Sequence, residues 1–201
     1  LIFDEVITGW GRMGSAFASQ EFGVTPDVIT MAKATTNGVV PMGAVAVKEE
    51  IYDTVMDASP KGAVELFHGY TYSGHPLACA AALATLEEYK AENVFERAGN
   101  IEKKFEEGCH SLKGTKNVVD IRNIGLVAGI ELATREDGFT KRAYDVFDWC
   151  FNEGLMVRFT GETICVSPPL IVNEGQIDEI FKTIREAIIS IKRFRRLNDD
   201  S

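Results

Sequence analysis

Two short apolar runs in this chain end abruptly in charge. LIFDE, residues 1–5, stops at the adjacent carboxylates Asp4 and Glu5, and VITMAK, residues 28–33, stops at Lys33. Neither run alternates apolar with polar residues, so neither suits a strand with one wet face. Short unbroken runs suit strands covered on both faces, as in an α/β protein. In open α/β sheets, sites form outside the carboxyl ends of the strands. Asp4 and Lys33 both stand at such ends, and on neighbouring strands they would face one crevice. Residue types alone favour a blander account, either a buried ion pair or two solvated loop charges, because ion pairs are often structural.

The 201 residues suffice for one large domain or two small ones. A net charge of −9 and a pI near 4.9 argue against non-specific nucleic-acid binding, which needs a basic footprint. The one basic cluster, Lys192, Arg193, Arg195 and Arg196, reads as a solvated helix end. No apolar run approaches the roughly 20 residues of a membrane span, and the first residues lack the basic segment of a signal peptide. Cys79, Cys109, Cys150 and Cys165 form no C-x-x-C pair and offer no metal-ligand spacing, which suits reduced thiols in a cytoplasmic protein.

Along the chain, glycines 9, 11 and 14 mark a loop after the first strand. MGAVAVK is a third short apolar run, and KEEIYDTVM has helical spacing. Residues 59–75 read as a long functional loop. A helix is expected from about Pro76 and a second over NVFERAGNIEKKFEEGCHSL. The character then changes. NVVDIRNIGLVAGIEL reads as strand, glycine break, strand; TKRAYDVFDWCFNEG as a helix ended by Gly154; LMVRFTGETICVSPPL as two strands joined at TGE. Asn173, with Gln176 three residues on, opens a last helix. Residues 1–85 are therefore expected to form part of an α/β large domain, and residues 86–201 a small α+β domain.

Three segments carry a further signal: LIFDEVITGWGRMG, FGVTPDVITMAKATTNGVVPMGAVAV and LFHGYTYSGHPLACAAALATL. In order, spacing and flanks they resemble the class III pyridoxal-phosphate aminotransferases, the ω-aminotransferase group. GLVAGIEL and LMVRFTGETICVSPPLIV are similar to that family's C-terminal domain, so the resemblance covers nearly the whole chain. It implies part of the large domain of a fold type I pyridoxal-phosphate transferase, followed by the small C-terminal domain.

The resemblance also implies roles. Lys33 matches the Schiff-base lysine, a nucleophile and then a general base. Asp4 matches a buried carboxylate that keeps the cofactor's pyridine nitrogen protonated, which strengthens the ring as an electron sink. Val6 matches the apolar residue on one ring face, and ordinary core packing is compatible with that. Thr71 matches a threonine that reaches the cofactor phosphate from the neighbouring subunit of a homodimer; by itself it reads as a loop threonine. Tyr70 and Tyr72 would border the same pocket. Arg158 matches an arginine that grips substrate carboxylate in two-pronged fashion, with a surface ion pair as the equal alternative. Glu5, Arg12, His68 and His75 are left as structural or supporting residues.

The implied reaction moves an amino group from an ω-amino acid or amine to pyruvate or another 2-oxo acid. An aminomutase or a dialkylglycine decarboxylase on the same fold is the nearest rival. Two departures stand out. Ala34 and Thr35 follow the lysine where a glycine and an aliphatic residue are common. The family's long region before the DEV strand, with its ring-stacking aromatic and phosphate-wrapping turn, has no counterpart before Leu1, so the sequence reads as a C-terminal portion. A catalytically silent fragment that folds and dimerises is the corresponding rival from another class.

Overall fold

The computed structural model describes residues 1–62 and 69–198, with side chains as far as residue 191. The chain forms two compact units, Leu1–Glu96 and Arg97–Ser201. The domain boundary expected between residues 85 and 86 lies eleven residues before this division, which falls inside a helix.

The first unit holds a three-stranded sheet. β1 (Ile2–Asp4) pairs in parallel with β2 (Val28–Met31), Asp4 opposite Thr30. β2 pairs antiparallel with β3 (Ala44–Val47), Met31 opposite Ala44. The crossover from β1 to β2 carries the glycine loop and a short helix, α1 (Ala18–Glu21), which the sequence did not announce. Glu5, 1% exposed, holds it: its carboxylate accepts the N–H of Ala18 and of Ser19, both at 2.9 Å, and the Thr8 hydroxyl at 2.6 Å. A carboxylate at a helix N-terminus satisfies orphan N–H groups and suits the dipole.

α2 (Glu49–Asp57) and α3 (Pro76–Ala91) complete this unit with the start of α4 (Val94–His110). His75 is the residue before α3, and Pro76 sits at the first helical position, where its missing N–H is harmless. The expectation of strands covered on both faces is not met in this chain. Ile2 is 68% exposed and Val45 64%. The central strand, β2, is likewise only half-buried at all four positions.

The second unit is built on an antiparallel sheet of order β4 (Val118–Ile124), β5 (Val127–Leu132), β7 (Thr163–Val166), β6 (Arg158–Thr160). α5 (Lys141–Asn152) and α6 (Glu174–Asn198) are its other helices. Burial alternates along β5, with Ala128, Ile130 and Leu132 inward. They join Phe105, Val146, Ile164, Ile177 and Ile184 in one core. Each such side chain, fully buried, is worth roughly 1.5–3 kcal/mol. Glu162, in the tight turn between β6 and β7, repeats the Glu5 device. It accepts the N–H of Thr140 at 2.7 Å and of Ala143 at 3.2 Å, opening α5. Asn173 and Gln176 exchange side-chain and backbone hydrogen bonds at 2.9 and 3.1 Å, the reciprocal box that starts α6. Among the described residues, no helix is long and apolar enough to cross a membrane.

Candidate active site

Parallel pairing of β1 with β2 brings Asp4 and the approach to Lys33 to the same end of the sheet. The Glu5 N–H donates to the Thr30 carbonyl at 2.9 Å, so the register holds just past the strand end. One oxygen of Asp4, Oδ1, accepts the Val6 N–H at 3.0 Å and the Thr30 hydroxyl at a long 3.4 Å. The other, Oδ2, has no hydrogen-bond partner among the described residues. Asp4 is exposed, not buried as expected; Glu5 is the buried acid of the pair. Val6 is half-buried beside it.

Lys33 does not close β2. The strand ends at Met31, and Lys33 opens a 3-10 turn, Lys33–Thr35. Its φ is 44°, in the left-handed region that a side-chain-bearing residue seldom occupies, and this takes the backbone out of the extended form. The Lys33 carbonyl accepts the N–H of Thr36 at 3.3 Å and of Gly38 at 3.1 Å. Its amine is exposed, with no ion pair among the described residues.

Side chains from elsewhere converge on this turn. The Trp10 indole N–H donates to the Thr35 hydroxyl at 3.0 Å, and that hydroxyl donates to the Ala32 carbonyl at 3.1 Å. The Tyr89 hydroxyl on α3 donates to the Ala34 carbonyl at 2.7 Å. Burial pushes the Tyr89 phenol up, with the Arg12 guanidinium pulling the other way. Burial also pushes Arg12 down. Trp10 and Tyr89, with Leu86 and Phe95, line a cavity of about 410 Å³. Its walls are almost wholly apolar, and neither Asp4 nor Lys33 lines it. Trp10 and Tyr89 went unnoticed in the sequence because they meet their partners across 25 and 55 residues.

Thr71 lies exposed in the turn before α3, where the Ser73 N–H donates to the Tyr70 carbonyl at 2.9 Å. His68 lies outside the described residues. Arg158 opens β6, the edge strand of the second unit, opposite Cys165, and is exposed. Asp4, Val6 and Lys33 are thus gathered in one unit, while Arg158 belongs to the other.

The residues at the strand ends fit pyridoxal phosphate in kind. Among the described residues one carboxylate oxygen of Asp4 lacks a hydrogen-bond partner, which suits a protonated ring nitrogen, and the Lys33 amine lacks an ion pair, which suits an aldehyde.

Solved transaminases share this fold. A thermostable omega transaminase six-fold mutant from Pseudomonas jessenii superposes with a TM-score of 0.88 at 29% identity, over 96% of this chain and 44% of that one. An (S)-enantioselective omega-transaminase from Thermomicrobium roseum gives 0.85 at 34% identity, over 95% and 43%. The architecture is that of the fold type I pyridoxal-phosphate transferases. The description aminotransferase class-III matches residues 1–188, and this chain belongs to that family. It is 55% identical over 188 residues to an omega-aminotransferase of Caulobacter vibrioides, covering 94% of this chain. It is 45% identical over 192 residues to a beta-alanine–pyruvate aminotransferase of Pseudomonas aeruginosa, covering 95%. The chain spans 43% of the length of each of these two relatives.

Proposed function

We propose that this chain carries the reactive lysine of a pyridoxal-phosphate-dependent enzyme that moves an amino group from an ω-amino acid or amine to pyruvate or another 2-oxo acid. The observation that carries the reading is that Asp4, the last residue of β1, and Lys33, two residues past the end of β2, stand at the same end of a parallel strand pair. The relatives named for omega-amino and beta-alanine–pyruvate transfer support the substrate class.

Pyridoxal phosphate, when bound, supplies an electron sink for the charge left at the substrate carbon. Asp4 would hold a proton at the ring nitrogen, where Oδ2 has no hydrogen-bond partner among the described residues. Val6 offers an apolar surface beside it. Lys33 Nζ would hold the cofactor and would move the proton at the substrate carbon as a general base and acid. Thr71 reaches the cofactor phosphate of the neighbouring subunit in a cytoplasmic homodimer. Arg158 grips the carboxylate of an ω-amino acid.

The test uses the whole chain with added pyridoxal phosphate. A visible absorbance band should appear, disappear on borohydride reduction, and leave its added mass on the peptide holding Lys33. Lys33→Ala should show neither band nor mass, and Asp4→Asn should retain the mass but lose turnover. With an ω-amino acid and pyruvate, alanine should form without carbon dioxide. Carbon dioxide release points to the decarboxylase, and no band in folded protein to a silent polypeptide; either overturns the proposal.

A further inference from the structure

The turn that bears Lys33 is strained, and it is held from outside. Lys33 has φ 44°. A backbone of this kind persists only where its surroundings over-determine it, and such residues gather at functional sites. Here the surroundings can be named. Tyr89 ties down the Ala34 carbonyl, and Trp10 ties down Thr35, whose hydroxyl passes the restraint on to the Ala32 carbonyl. The residues on both sides of Lys33 are therefore fixed. Thr35 is 7% exposed, so water does not compete freely for its hydroxyl.

Both braces are themselves fixed. The Trp10 N–H donates to the Ala16 carbonyl at 2.6 Å, and its ring lies 5.1 Å from that of Phe17. Trp10 also has a left-handed backbone, φ 67°. The Tyr89 ring lies 5.4 Å from that of Phe95. One brace thus comes from the glycine loop after β1 and the other from α3. Neither hydrogen bond goes to the Lys33 side chain.

We propose that Trp10, Tyr89 and Thr35 are positioning residues, a two-sided clamp that holds the Lys33 backbone left-handed and so fixes where its amine stands. This rests on the reading of Lys33 as the reactive amine. The clamp acts through the backbone, so its loss should slow attachment at Lys33 without removing it.

Three variants of the full chain delete one bond each with little change of shape: Tyr89→Phe, Trp10→Phe and Thr35→Val. Thr35→Ser keeps the hydroxyl. Pyridoxal phosphate is the probe, and borohydride-fixed mass on the Lys33 peptide is timed. Amide hydrogen exchange is followed at Thr36 and Gly38, whose N–H groups bond to the Lys33 carbonyl. Tyr89→Phe and Thr35→Val should each slow labelling and speed exchange at those two amides by about threefold to tenfold, the factor that one hydrogen bond is worth. Exchange in β4, β5 and β7 should not change. Thr35→Ser should match the parent in labelling rate and in the circular dichroism of the visible band. As a check on strain, Lys33→Gly should melt higher than Lys33→Ala, because only glycine adopts this φ without cost. Unchanged exchange at Thr36 and Gly38 in Tyr89→Phe and Thr35→Val overturns the clamp, as does a Thr35→Ser protein that behaves like Thr35→Val. If the parent takes no label at all, the role of Lys33 fails instead, and the exchange data still decide the clamp.

Discussion

Gly108 on α4 faces Phe181 on α6 so closely that a Cβ on Gly108 would stand 2.5 Å from Cδ2 of the ring and 2.9 Å from Cε2. Phe181 has little room to retreat, because it meets Phe105 edge-on at 5.3 Å and is 3% exposed. In an open helix, glycine to alanine stabilises by about 1 kcal/mol. Here overpacking should win, since forcing atoms into a filled core costs about 1–3 kcal/mol. Gly108→Ala should therefore lower urea stability, and Phe181→Leu added to it should restore part of the loss. A Gly108→Ala protein as stable as the parent would contradict this geometry.

Glu5 should matter for stability although it takes no part in the proposed chemistry. Glu5→Ala strands the N–H groups of Ala18 and Ser19 and the Thr8 hydroxyl. The expected loss is about 2–3 kcal/mol, in the range for unsatisfied buried donors. Glu5→Gln keeps one oxygen acceptor and should lose less. Chemical denaturation measures both, and hydrogen exchange at Ala18 and Ser19 should quicken first. Equal stability of Glu5→Ala and the parent would refute the role.

The thiols should divide into two classes. Burial pushes the Cys109 thiol up to about 11 and the Cys150 thiol up to about 12. Both residues are 0% exposed. Only the thiolate is nucleophilic, and a raised value means less thiolate at any pH below it. At pH 8, iodoacetamide should modify Cys79 and Cys165, both half-buried, well before Cys109 and Cys150. The latter pair should react only as denaturant opens the second unit. Peptide mass spectrometry reads the order, and early labelling of Cys150 would count against it.

Arg158 has a substrate-dependent prediction. If it grips carboxylate, Arg158→Ala should weaken use of ω-amino acids by about 1.5–3 kcal/mol in kcat/KM, the range for hydrogen bonds to charged groups. Simple amines should be nearly unaffected. Equal losses on both substrate types would remove Arg158 from the site.

Much of the fold could be read in advance where its cause is local. The Asn173–Gln176 box, the Gly154 stop after α5 and the TGE turn between β6 and β7 are all short-range devices, and each element lies where the pattern put it. α1 escaped because its support comes from Glu5, thirteen residues away. The ends of β1 and β2 were legible as places where charge would gather, but the left-handed φ of Lys33 was not. Nothing in a lysine signals that conformation, and the bonds that hold it come from Trp10 and Tyr89, far along the chain. Arg158 stood out only through family resemblance. An arginine at the start of a three-residue edge strand has no physical mark of its own.

The two-unit build has a practical corollary for spectroscopy. The chain has two tryptophans, and one falls in each unit: Trp10 in Leu1–Glu96 and Trp149 in Arg97–Ser201. Trp10 rests on Phe17 beside the lysine turn, and Trp149 packs against the core under the antiparallel sheet. Removing either leaves a single emitter with a known address. Trp149→Phe protein would glow only from the half that carries Lys33, so unfolding of that half could be timed without interference from the other.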